Sequence, residues 1–185
     1  MKPAGYLINT REGIQGEPGF VYDYILAENG LFLVARSQLL EARICIAEAM
    51  IRGLAPLEET VSLPKGKIPK HVYDLALSVL YIDPFRECYL AVTWDGEYHI
   101  KMPAQKREGS EVVYAVIPGT LLDIHSHGSM GAFYSKDWDD PDEQGFRLSM
   151  VVGKLDTMTP EMNMRVGVYG YYAAVPMEEV FNCTH

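Results

Sequence analysis

The clearest helical period in the chain lies at His71 to Leu80, where Val72, Leu75, Ala76, Val79 and Leu80 recur at helical spacing behind Pro69. Asp83-Pro84 ends it, because the residue before a proline is pushed away from helical torsion angles. A succession of short β-favouring runs follows: Cys88 to Thr93, a turn at Trp94-Asp95-Gly96, then Tyr98 to Met102, Val112 to Ile117 and Leu121 to His125. Past an acidic segment, Phe146 to Leu155 and Met164 to Val175 are rich in Val, Tyr and Met and are expected to pair and complete the sheet. A helix leading into a meander of strands predicts an α/β chain whose centre is a β-sheet flanked by helix.

The N-terminal third reads differently. Met1 to Gly19 holds several glycines and prolines and no apolar period, which predicts a loosely structured leader. Tyr22 to Leu26 and Leu31 to Ala35 are β-favouring runs joined by Glu28-Asn29-Gly30, a hairpin signal. Leu39 to Ile51 has the composition of a helix and, at Arg43 to Glu48, the alternation of a strand; the alternation favours strand. Gly53 to Lys70 is proline- and glycine-rich and marks a connection. The expected division is a β-rich extension over residues 1–65 and a larger domain over 66–185, since 185 residues support one substantial core and not two.

Charge and composition exclude several partners. The formal net charge is -9 and the basic residues are scattered, so no cationic stripe is available to displace counterions from a nucleic acid. No long apolar run suggests a membrane span, and the N-terminus lacks an apolar signal region, which together predict a cytoplasmic protein. Cys45, Cys88 and Cys183 are too few and too far apart for a disulfide framework and read as reduced thiols. Nothing in the sequence specifies an oligomeric state.

The chemistry-bearing segment is His125-Ser126-His127 at the end of the apolar run Leu121 to Ile124. Strand side chains repeat every two residues, so both imidazoles project to one face and can reach one ion. A catalytic zinc takes three protein ligands and keeps one position for water, and a carboxylate from the following loop would complete the set. Asp139 and Asp140 are the nearest donors of that kind, in the acidic run Asp137 to Glu143. His71, His99 and His185 are spread elsewhere and read as a helix, a strand and a terminal residue with no metal role.

His125-x-His127, seven further residues and then Ser135 with acidic residues just beyond resembles the JAMM signature of the JAB/MPN metalloproteases. More closely, the segment with Met130, Ala132 to Ser135, Asp139-Asp140-x-Asp142-Glu143 and Arg147 to Gly153 resembles the bacterial JAB-like proteins called PRTRC system protein A. The likeness extends through Gly30-Leu31-Phe32, Arg52-Gly53-Leu54, Gly66 to Pro69, Glu87 and Arg165 to Gly170. It implies a JAB/MPN fold, cytidine deaminase-like, with a mixed sheet and flanking helices. It further implies a zinc metallopeptidase or isopeptidase acting on a peptide or ubiquitin-like protein.

Carried onto this chain, the resemblance implies His125, His127 and Asp139 as zinc ligands, Glu87 as general base and Ser135 as oxyanion donor. Glu97, Glu108 and Glu111 are weaker candidates for the base. Two departures stand out. Gly128 replaces the proline that follows the second histidine in the isopeptidases, and Trp138 occupies the position three after Ser135 where the signature has its aspartate. The second departure selects Asp139 by alignment of the acidic run and leaves Asp137 and Asp140 open. A family with inactive members also allows a binding or assembly module that keeps the fold without turnover.

Overall fold

A computed structural model describes residues 2–108, 111–134 and 145–182. The N-terminal residues form a sheet of six strands: β1 (Ala4–Thr10), β2 (Gly13–Gln15), β3 (Tyr22–Ala27), β4 (Gly30–Arg36), β5 (Glu41–Glu48) and β6 (Thr60–Ser62). Their order is β2-β1-β3-β4-β5-β6, with β1 and β3 parallel and the other neighbours antiparallel. The expected hairpin is β3–β4, turned by Glu28-Asn29 with Ala27 opposite Gly30. Asn29 does more than turn the chain: its side chain bonds the backbone of Leu57 in both directions, at 2.8 and 2.9 Å, and clips the following loop to the sheet.

The loose leader expected at Met1 to Gly19 is instead the strand pair β1–β2. Gly5, Leu7 and Asn9 alternate inward along β1, but a parallel partner, β3, supplies the ladder, and such pairing has no local signal. Two of the glycines are there for contact: a Cβ on Gly5 would fall into the Asp23 carboxylate and the Gly19 backbone, and one on Gly19 would strike the backbone of Gly5. Within segment 39–51 the alternating part is strand, as predicted, in the form of β5.

The rest of the chain runs β7 (Ile68–Pro69), α1 (Lys70–Leu80), β8 (Cys88–Trp94), β9 (Tyr98–Lys101), β10 (Gln105–Glu108), β11 (Glu111–Tyr114), β12 (Thr120–Ser126), β13 (Phe146–Gly153), β14 (Glu161–Val168), β15 (Tyr171–Ala174), α2 (Met177–Val180) and β16 (Phe181–Asn182). The second large sheet has the order β15-β14-β13-β12-β8-β9. It is mixed, since β12 and β13 are parallel while its other neighbours are antiparallel. Two expectations are corrected. The run Met164 to Val175 is a hairpin, turned at Tyr169 and Gly170 with φ of 50° and 92°. The run at Val112 does not join the sheet; β11 pairs with β10 in a separate two-stranded arm.

The described residues are thus mixed α/β and strand-rich, with two helices, of which α2 is a single turn. α1 buries Val72, Ala76 and Leu80, one stripe at a spacing of four. That stripe meets Leu90, Leu122, Ile124, Met150 and Val166 of the second sheet, and the same cluster includes Leu33, Ala35 and Ile44 of the first. The opposite face of the first sheet holds a smaller cluster, Leu7, Ile25, Ala27, Phe32 and Val34, with Cys45 and Leu57 against it. No described helix is long and apolar enough to cross a membrane.

Candidate metal centre

Alternation along β12 divides its side chains between two environments. Leu122 and Ile124 enter the core, so Asp123, His125 and, one step past the strand, His127 project from the other face. The antiparallel partner β8 sets Ala91 opposite Asp123, Tyr89 opposite His125 and Cys88 opposite Ser126. The ladder ends there, with Glu87 the residue before β8 and His127 the residue after β12. The junction is tied at Ser126, whose buried Oγ accepts the Cys88 amide at 2.9 Å and donates to the Arg86 carbonyl at 3.4 Å.

His127 is held by the turn that follows it. Its amide donates to Val152 at 2.8 Å, its carbonyl accepts from Met130 at 3.0 Å, and its Nδ1 lies 3.2 Å from the Gly131 carbonyl. A carbonyl only accepts, so that contact puts the proton on Nδ1 and leaves the lone pair on Nε2. Phe133 packs edge to face on the ring, with centroids 4.9 Å apart. Gly128 sits at φ +59°. A proline ring locks φ near −65° and cannot enter that region, which gives the departure from the isopeptidase pattern a backbone cause.

His125 has a different setting. Its Nε2 lies 3.2 Å from the Tyr114 hydroxyl, and its ring meets Tyr89 edge to face at 5.0 Å. Tyr89 and Tyr114 are stacked, 3.7 Å apart and 5° from parallel. Beneath them, the Tyr89 hydroxyl donates to Asp123 Oδ1 at 2.5 Å and Arg147 Nη1 donates to Oδ2 at 3.1 Å. Burial pushes the Asp123 carboxyl up, against the pull of Tyr89 and Arg147. Burial, then the neighbouring Asp123 charge, raises the Tyr89 phenol far above its ordinary value. The Gln105 amide closes the exposed edge of Tyr89, accepting its N–H at 2.9 Å and donating to its carbonyl at 3.1 Å.

No protein-family model matches this chain, and no curated protein matches it. Function therefore rests on the chemistry of these side chains.

The structure places His125 in β12, His127 one residue past its end and Glu87 one residue before the paired strand β8. Ser135 and the candidate third ligands Asp137, Asp139 and Asp140 lie outside the described residues. Among the described residues no three His, Cys, Asp or Glu side chains converge to hold a metal ion. The two imidazoles fit a zinc centre in donor type and facing, and His127 fits in tautomer as well. Sequence reasoning missed Tyr89, Tyr114, Asp123 and Arg147; the one local signal was Asp123, a carboxylate inside an apolar strand. His99 pairs with Asp95 at 2.7 Å and His71 is exposed on α1, so neither joins the site. A recess of about 710 Å³ beside Phe32, Cys45, Met50 and Leu57 belongs to the first sheet and contains none of these groups.

Proposed function

We propose that this chain is a zinc-dependent hydrolase of peptide or isopeptide amides, built on a JAB/MPN (cytidine deaminase-like) fold over residues 66–185 with residues 1–65 as its β-rich extension. The observation that supports this reading is the β8–β12 register, which pairs Ser126 with Cys88 and so ends one residue short of His127 and of Glu87. His125, His127 and Asp139 would hold the ion, with Asp137 and Asp140 as the other candidate carboxylates. When bound, zinc lowers the pKa of a coordinated water towards about 7 and polarises the substrate carbonyl.

The protein's own groups supply the rest. Glu87 accepts the water's proton on its carboxylate and returns it to the leaving amine nitrogen, since an amide nitrogen leaves only when protonated. Ser135 donates a hydrogen bond to the carbonyl oxygen as negative charge develops there, an effect of about 3 kcal/mol for donors of this kind. The Gly131 carbonyl keeps the His127 lone pair on Nε2, and the buried Tyr89–Asp123 pair forms the wall against which His125 rests. An extended peptide or the tail of a ubiquitin-like protein, lying along the sheet edge, is the substrate class, in the cytoplasm.

A second reading, a metal-free binding or assembly module on the same fold, is favoured by one observation: the Tyr114 hydroxyl at His125 Nε2. Metal analysis of protein purified without chelator separates the two. The enzyme reading expects about one zinc per chain. It also expects Glu87→Gln to keep the metal and lose roughly 100-fold or more in hydrolysis of a peptide library. Protein without bound metal, whose metal affinity is unchanged by His127→Ala, ends it.

A further inference from the structure

The two histidines are held differently. His127 turns Nδ1 to the Gly131 carbonyl at 3.2 Å, whereas His125 has its Nε2 against the Tyr114 hydroxyl at 3.2 Å. An imidazole nitrogen has a single in-plane lone pair, and a phenol O–H and a metal ion compete for it. Were Nε2 protonated instead, it would donate to the phenol oxygen and be equally closed to a metal.

Tyr114 is also held in place from several directions. Its ring lies flat on Tyr89 at 3.7 Å. Tyr89 is fully buried and anchored through its hydroxyl to Asp123, which Arg147 holds in turn. Gln105, at the start of the strand that pairs with β11, binds the Tyr89 backbone in both directions. Tyr114 and Gln105 face one another across that pair, so the phenol and the amide seat the arm on Tyr89 together. This is more than a side chain resting on a ligand requires.

We infer that Tyr114 is an inhibitory latch on His125: seated on Tyr89, its hydroxyl occupies the nitrogen that zinc needs, and the site loads only when it leaves. The inference rests on the metal-centre reading above. Releasing the hydroxyl removes one hydrogen bond from the metal-free state, which corresponds to roughly a fivefold gain in zinc affinity. The ring stack survives in Tyr114→Phe and is lost in Tyr114→Leu.

The test is zinc affinity of the full chain, measured by competition with a chromogenic chelator, for the unaltered protein, Tyr114→Phe, Tyr114→Leu and His127→Ala. The latch expects one or both Tyr114 variants to bind about fivefold tighter and His127→Ala to bind more weakly than all of them. In zinc-free protein, it also expects Tyr114→Phe to shift the imidazole nitrogen resonances of His125 while those of His127 stay in place. Equal affinity in the unaltered protein and both Tyr114 variants, with His127→Ala still weaker, overturns the latch and leaves the metal centre standing. Zinc bound by none of the four overturns both. An unmoved His125 resonance overturns the hydrogen bond on which the latch depends.

Discussion

The Cys88 amide donates to the buried Ser126 Oγ at 2.9 Å, so the serine between the two histidines faces away from them and fastens their strand to the residue that follows Glu87. Truncating it in Ser126→Ala removes that acceptor from the Cys88 N–H in the core, at a cost of about 1–3 kcal/mol. Urea denaturation is expected to show that loss in the unfolding midpoint. On the proposed function, hydrolysis should fall with it, because one of the bonds that fix the start of β8 against the end of β12 is lost.

The buried Asp123–Arg147 pair makes a pH-dependent prediction. Asp123 is almost fully buried and its carboxyl is raised above the ordinary 3.8 by desolvation. The fold therefore favours its protonated form: the contribution is fully present in acid and is lost as pH rises through the raised value. Arg147 offsets that loss by drawing the carboxyl down. Arg147→Met is expected to cost about 3–5 kcal/mol near neutrality, the penalty for leaving a buried charge unpaired, and much less in acid, where Asp123 is neutral. Tyr89 adds an alkaline limb of the same sign, present below 10.0 and lost as pH climbs past it. Thermal melts of both proteins in acid, at neutrality and in alkali read all three regimes. A variant that tracks the unaltered protein at every pH contradicts the pairing.

Gly128 offers a backbone test. An added Cβ would lie 3.3 Å from the Phe85 and Pro84 backbone, and its φ of +59° disfavours any side chain. Gly128→Ala should cost about 1–2 kcal/mol. Gly128→Pro, which brings in the residue the isopeptidases carry, should cost about 3 kcal/mol or more because its ring forbids that φ. Chemical denaturation checks both, and a neutral proline variant would mean that the turn is built otherwise.

Local signals and non-local pairings explain what could be read in advance. α1, the β3–β4 hairpin and the strand ending in His125-Ser126-His127 were legible because period, turn residues and apolar runs are properties of neighbouring residues. β1 was not, because its ladder with β3 is parallel and Gly5 serves close contact in place of flexibility. The parallel β12–β13 pair and the turn at Tyr169-Gly170 that splits the last apolar run were hidden for related reasons. In the site, the two histidines could be found from spacing. Tyr89, Tyr114 and Arg147 could not, since they converge on Asp123 and His125 from separate elements and no spacing connects them.

The common core of the two large sheets has a practical consequence. Leu33, Ala35 and Ile44 pack into the cluster that includes Leu90, Ile124 and Val166, and Tyr22 meets Tyr169 across the sheets at 5.3 Å. Residues 1–65 are therefore not a detachable accessory. A shortened chain starting at Gly66 would present to water an apolar wall that the first sheet now covers, and would behave as a self-associating fragment.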